Sequence, residues 1–133
     1  MTPDQKLTAL TCLNAAEQDT KDFPAIVGAL MAAGFESYTV DFRRGQSTYF
    51  LPDGEHLTLP LHTLETPVAA EFDAGAVQAA IREAQAKAPG YTYTGFCRKV
   101  AAAGCAGYTV SFSGRRAVYS GRTGETHVEQ FPD

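Results

Sequence analysis

The sequence predicts an α+β fold built from two copies of one ααβββ unit, antiparallel meanders packed against helices about a pseudo-twofold axis. Three observations predict it. Residues Ala32–Glu55, "AAGFESYTVDFRRGQSTYFLPDGE", and Ala102–Glu125, "AAGCAGYTVSFSGRRAVYSGRTGE", align without a gap at an offset of 70 and are identical at ten of 24 positions. Unrelated segments of average composition agree at roughly one or two such positions. Apolar residues recur at helical spacing ahead of each copy and alternate with polar ones within it. Finally, a three-stranded meander with two helices on one face leaves sheet edges and apolar surface uncovered, and a second copy supplies the cover by joining its sheet or packing face to face.

Thr2, Pro3 and Gln5 form a capping-box signature that starts a helix carrying Leu7, Leu10 and Leu13 to about Glu17. A second helix begins near Asp22, carries Ile26, Val27 and Leu30, and ends at Gly34, where a left-handed residue is wanted. The period then changes. Tyr38, Val40 and Phe42 alternate with Thr39, Asp41 and Arg43 as a strand; "RRGQ" turns the chain, and Ser47 to Leu51 returns. After the "PDG" turn, Leu57, Leu59 and Leu61 share one face of a third strand, with His56, Thr58 and Pro60 on the other. Pro60 lacks an N–H, so that strand is an edge or ends there. Residues 62–72 read as a connector between repeats spanning about 2–61 and 73–131 of a single domain.

Asp73 then caps a helix with Val77, Ala80, Ile81 and Ala84, which Pro89–Gly90 closes. Thr92 or Thr94 opens the next, through Phe96 and Val100 to Gly104, and strands follow at Tyr108–Phe112, Arg116–Ser120 and about Thr126–Phe131. Both copies keep Tyr-x-Val-x-Phe and the later tyrosine, while Asp41 and Arg43 become Ser111 and Ser113 and the turn glycine moves from Gly45 to Gly114. What repeats is a packing hairpin.

Composition narrows the function. The chain has 133 residues, 44% hydrophobic and 20% charged, with net charge −4 and pI about 5.3. That balance disfavours a general nucleic-acid binder, which needs clustered positive charge. No stretch reaches the ~18 apolar residues of a membrane span, and the first residues lack the features of a secretion signal. Cys12, Cys97 and Cys105 are odd in number with no Cys-x-x-Cys spacing, which speaks against a disulfide framework or structural zinc and for a reducing, cytoplasmic setting. His56 and His62 lie about 20 Å apart along a straight strand, too far to share a metal, whereas His56 and His127 occupy matching strands and approach one another if the axis runs nearby. No Gly-x-Ser-x-Gly, phosphate-cradling loop or His-Glu-x-x-His is present, so no catalytic, cofactor or metal residue is assigned.

The arginines are the most suggestive feature. Arg43–Arg44 occupy one hairpin turn, and Arg115–Arg116 with Arg122 occupy the other, interleaved with tyrosines. A cleft built from Arg44, Arg115, Arg116, Tyr49 and Tyr119 would grip a phosphate or carboxylate, provided the two turns converge. The competing expectation is a non-catalytic interaction or structural module, pairing with itself or another protein through an exposed strand edge such as Leu57–Leu61, its arginines serving as edge protection.

The run "FPAIVGALMAAGFESYTVDFRR…TYFLPDGE", followed by "PGYTYTGFCRKVAAAGCAGYTVSFSGRR…YSGRTGETHVEQFP", resembles a family of uncharacterised bacterial and prophage proteins of about this length. It is similar to domain of unknown function 1398, whose members are often labelled "phage envelope protein". The resemblance covers essentially the whole chain and implies no established activity, cofactor or catalytic residue. The envelope label sits poorly with a sequence lacking membrane and signal segments.

Overall fold

The computed structural model describes residues 1–62 and 64–132; Thr63, within the expected connector, and Asp133 lie outside the described residues. The helices are α1 (Pro3–Glu17), α2 (Phe23–Ala32), α3 (Ala74–Gln85) and α4 (Tyr93–Ala102). The strands are β1 (Ser37–Asp41), β2 (Gln46–Phe50), β3 (His56–Pro60), β4 (Cys105–Ser111), β5 (Arg116–Gly121) and β6 (Thr126–Gln130). Each helix starts on a side chain that satisfies an otherwise orphaned N–H. Thr2 and Gln5 complete the capping box, and Gln5 also donates from Nε2 to the Ala33 carbonyl at 3.0 Å, tying the start of α1 to the end of α2. Asp22, Asp73 and Thr92 accept from the backbone of Ala25, Ala76 and Gly95, all at 3.0 Å, so Thr92 rather than Thr94 opens α4.

One expected stripe differs. Leu7 and Leu10 are 62% and 43% exposed, and α1 instead buries Ala9, Cys12, Leu13 and Ala15. Small residues on that face let α1 approach its helical neighbours closely, which turns the first two leucines outward.

The strands form one antiparallel sheet in the order β3-β2-β1-β4-β5-β6. Its centre is the β1–β4 ladder, where Thr39 faces Thr109, Tyr38 faces Val110 and Val40 faces Tyr108. The Thr39 and Thr109 hydroxyls meet across it at 3.1 Å. Strand β4 begins earlier than its tyrosine suggests and bulges between Cys105 and Gly107. A side chain on Gly107 would sit 2.3 Å from the Val40 carbonyl, so glycine is what allows the ladder to close there. Strands β3 and β6 are the sheet's two edges, and Pro60 lies on the first, where its missing N–H leaves no central ladder bond unmade.

Alternation sorts the faces. Tyr38, Val40, Ser47, Tyr49, Tyr108, Val110, Ala117 and Tyr119 are buried under the helices; Thr39, Thr48, Thr58, Thr109, Val118 and Val128 form the opposite, more open face. The buried face reads across the sheet as two rows. One runs Leu57–Tyr49–Tyr38–Val110–Ala117–Glu129, and the other runs Leu59–Ser47–Val40–Tyr108–Tyr119–His127.

Gly34 and Gly104 follow α2 and α4 with φ of +101° and +93°. A Cβ at Gly34 meets only Gln5 Nε2, at 3.4 Å, whereas one at Gly104 would lie 1.9 Å from the Glu71 carbonyl oxygen. Gly34→Ala is therefore expected to lose about 1–2 kcal/mol from left-handed strain alone. Gly104→Ala is expected to lose at least about 2 kcal/mol more through overpacking against backbone. Urea titration of the two variants checks the ordering.

Candidate functional site

Between the sheet and the helices lies a cavity of about 850 Å³. Its floor is the middle of the sheet: Tyr38, Val40, Ser47, Tyr49, Tyr108, Ala117 and Tyr119. Cys12 and Leu13 of α1, Ile26 of α2, Ile81 and Ala84 of α3 and Phe96 of α4 form the walls. Tyr91 and Tyr93 bring the total to all six tyrosines of the chain. The floor rings form a continuous series: Tyr49 to Tyr38 at 5.5 Å, Tyr38 to Tyr108 at 6.3 Å, Tyr108 to Tyr119 at 5.1 Å, and Tyr119 to His127 at 6.5 Å. Strand alternation is sufficient to aim them all inward, because each sits on the same parity of its strand.

The mouth is made by the α1–α2 loop, the α3–α4 loop and the C-terminal residues 130–132. Three contacts cross it. Lys87 Nζ donates to Asp22 Oδ2 at 3.1 Å, Tyr93 N donates to Asp19 Oδ1 at 2.8 Å, and the rings of Phe23 and Phe131 meet edge to face at 5.6 Å. The Ala25 amide and then Lys87 hold the Asp22 carboxyl below its ordinary range. Asp19 and Lys87 adopt left-handed backbone, φ +56° and +48°, just past α1 and α3. Glycine would sit there without strain. The side chains kept in its place are two of those that bridge the mouth.

At the β6 end of the floor, Arg82 of α3 donates to Glu129 Oε1 at 2.5 Å, and His127 Nε2 lies 3.1 Å from Glu129 Oε2. Burial pushes the Glu129 carboxyl up, but hydrogen bonds from Arg82, His127 and Gln85 outweigh it and leave the pKa below the ordinary glutamate value. The charge is thus already engaged. Elsewhere in the site burial is the largest cause, with neighbouring titratable groups adding to or opposing it. It raises Tyr38, Tyr93 and Tyr108 well above the usual phenol value, takes Tyr49 and Tyr91 to about 12, and lifts Cys97 to about 12 and Cys12 above its usual value. At neutral pH these groups are protonated hydrogen-bonding partners; a thiol in that state is a poor nucleophile.

Two polar details stand out. Tyr93 and Tyr108 share a short hydroxyl–hydroxyl bond of 2.6 Å. Ser47 is 1% exposed, and among the described residues its hydroxyl has no partner of normal hydrogen-bond geometry. Ser47 nonetheless lowers the pKa of the neighbouring Tyr49 phenol by a side-chain contact, against the larger rise that burial imposes.

The residues singled out from the sequence are divided by this arrangement. Tyr49 and Tyr119 line the cavity; Arg44, Arg115 and Arg116 do not. Since β1 and β4 run antiparallel, Asp41 lies beside Gly107 and Ser111 beside Ser37, so the two arginine turns leave the sheet at opposite ends. Roughly 15 Å of strand separates them, at about 3.3 Å per residue. Arg44 faces Asp41 at 3.7 Å, Arg115 donates to the Pro132 carbonyl at 3.2 Å, and Arg116 donates to the Gly114 carbonyl at 3.1 Å. Arg115 carries the left-handed conformation that Gly45 takes in the first turn, φ +52° against +67°.

His56 and His127 likewise lie on opposite edge strands. Sequence reasoning missed Ser47 and Glu129, and it weighed His127 only as a partner for His56. The signal was present: at the same offset of 70 they stand opposite Ala117, Leu59 and Leu57, polar against apolar on the buried face.

A family model described as "Protein of unknown function (DUF1398)" matches residues 12–130. No curated protein matches the chain. Among the described residues, no helix is long and apolar enough to cross a membrane.

A tyrosine whose folded pKa is raised contributes stability that is fully present below its unfolded value and is lost as pH rises through the folded one. With Tyr49 moved from 10.0 to about 12, stability is expected to fall between roughly pH 10 and pH 12. Tyrosinate absorbance should lag a free-tyrosine curve and then rise together with loss of secondary structure. A curve that follows free tyrosine while the fold persists would contradict the buried ladder.

Proposed function

We propose that this chain, which belongs to the DUF1398 family, is a small-molecule binding protein whose ligand occupies the tyrosine-walled cavity between helices and sheet. One observation carries the reading. A cleft of about 850 Å³, open between the α1–α2 and α3–α4 loops and reaching down toward the tyrosines of the sheet, falls within the ~300–1,000 Å³ typical of ligand sites. Its lining fits as well: mostly aromatic and aliphatic surface with a few hydroxyls at the floor. Because the phenols and thiols stay protonated and Glu129 is engaged by Arg82, the chemistry favours holding a ligand over transforming it. The proposed site keeps Tyr49 and Tyr119 of the anticipated cleft, with the guanidinium groups outside it.

We also infer that the cavity descends from a duplication of one ααβββ unit within a single domain. In support, Thr39 and Thr109, equivalent at the offset of 70, face one another, as do Tyr38 with Val110 and Val40 with Tyr108. An axis between the two threonines relates Tyr38 to Tyr108 and Tyr49 to Tyr119. Function then belongs where the copies diverge on the buried face, at Ser47 and at Glu129 with His127.

A second reading, partner binding or dimerisation along a sheet edge, draws on the unpaired outer sides of β3 and β6 and on the 44% exposure of Val128. Light scattering as a function of concentration tests it; a monomer throughout removes it.

A panel of neutral aromatic compounds tests the cavity. A ligand at a hundred times its Kd stabilises by about 2.7 kcal/mol, a shift of several degrees in Tm. Ala84→Phe, which fills the cavity from α3, is expected to fold and to abolish the shift. If no compound moves the wild type, or Ala84→Phe responds equally, the proposal fails.

A further inference from the structure

The way into the cleft follows from how residues 130–132 are held, an argument that rests on the binding reading above. We propose that residues 130–132 form a strap clasped by Arg115, and that ligand enters the cleft when this strap lifts away from Phe23.

Three observations converge. First, the strap belongs to the mouth. Gln130, Phe131 and Pro132 all line the cleft, starting at the last rung of the sheet, where Gln130 faces Arg116. The Phe131 ring closes edge to face on Phe23 at 5.6 Å, and Phe23 itself is 43% exposed. That contact is a small apolar latch between the sheet edge and the start of α2. It is shallow enough to open while the core stays packed.

Second, Arg115 stands where glycine would sit without strain. Its backbone is left-handed at φ +52°, and its counterpart at the offset of 70 is Gly45, at φ +67°. Both turns make the same backbone bond to the residue that follows the third strand. Leu61 N donates to the Gly45 carbonyl at 2.9 Å, and Phe131 N donates to the Arg115 carbonyl at 2.8 Å. The arginine adds a guanidinium that donates from Nη2 to the Pro132 carbonyl at 3.2 Å. A side chain that reaches the strap gives the strained position a purpose that glycine could not serve.

Third, the two strand ends are tied differently. Beyond β3, His62 N donates to Glu17 Oε2 at 2.8 Å, which fixes that end to α1. Its counterpart Pro132 has no N–H, and the counterpart of Glu17 is Lys87, already bonded to Asp22. Among the described residues, the hydrogen bonds that hold Phe131 and Pro132 run to Arg115 alone. Phe131 lines the cleft, whereas its counterpart Leu61 does not. One end is anchored to a helix and the other only to its own hairpin. The second is the side that lifts.

The test reads labelling of the full chain by N-ethylmaleimide, with each cysteine followed by mass spectrometry. Cys12 lines the cleft and is 2% exposed, whereas Cys105 is buried outside the lining and reports general unfolding. Arg115→Gly copies Gly45 and exchanges strain for glycine's greater freedom in the unfolded chain, so its Tm is expected to hold. It should raise the Cys12 rate about three- to tenfold, the ratio for one net hydrogen bond, and leave Cys105 unchanged. Phe131→Ala should act in the same direction, and Leu61→Ala, at the fixed end, should not. In stopped-flow mixing with prodan, a neutral naphthalene dye, Arg115→Gly should speed entry and exit together with little change in Kd.

An unchanged Cys12 rate in Arg115→Gly, a Cys105 rate that rises in step with it, or an equal effect of Leu61→Ala would each overturn the strap. Dye kinetics that stay constant while Cys12 labelling rises would overturn the entry route. Failure of prodan to bind the wild type would overturn the entry route together with the binding reading beneath it, and the Cys12 rates would still decide the strap.

Discussion

The β1–β4 ladder is the contact on which the rest of the molecule depends. Without it each half is a three-stranded meander with an open edge on both sides, a size at which independent stability is marginal. With it, two open edges vanish, the sheet reaches six strands, and the inward rings of Tyr49, Tyr38, Tyr108 and Tyr119 become neighbours in one floor. The pairing also sets direction. Antiparallel register sends the two long hairpins out of opposite ends of the sheet, which is why the cavity lies over the centre and the arginine turns lie away from it.

A floor this aromatic has consequences for how the helices sit. α1 and α2 pack as one pair and α3 and α4 as the other, with α1 also touching α4, and the loops joining each pair meet above the tyrosines. The Asp22–Lys87 and Asp19–Tyr93 contacts tie the two helix pairs to one another across the mouth of the cleft. Maintaining it draws on stability. An unpartnered buried hydroxyl costs about 1–3 kcal/mol, and left-handed non-glycine residues about 1–3 kcal/mol each, within a total that for small domains is about 5–15 kcal/mol.

The opposite face of the sheet follows a different logic. Thr58, Thr48, Thr39 and Thr109 run into Val118 and Val128 as a row of β-branched residues, favourable on a pleated surface and tolerant of water. Threonine hydroxyls pair across strands at 3.0–3.1 Å. Charged turns and the proline-terminated edge at β3 accompany it, the usual means by which an open sheet avoids its own copies.

Much of this was legible in the residues alone because the causes are local. Thr2 with Gln5, Asp22, Asp73 and Thr92 cap helices within a few positions of themselves, and a period of two assigns Tyr38, Val40, Tyr49, Tyr108 and Tyr119 to one face regardless of what covers it. The offset of 70 even placed Ser47 opposite Ala117 and Glu129 opposite Leu59, although their meaning required knowing which face was buried. Local pattern could not say which way the halves join, since that choice is made between residues such as Thr39 and Thr109, far apart in the chain. Nor could it say that Leu7 and Leu10 face outward or that a cavity survives, because both depend on how near one layer settles to another. By itself the sequence determined the elements, their caps and their inward sides; only the tertiary structure decided the direction of the central pairing and the gap above it, because backbone register and layer spacing are set by long-range contacts that no short stretch encodes.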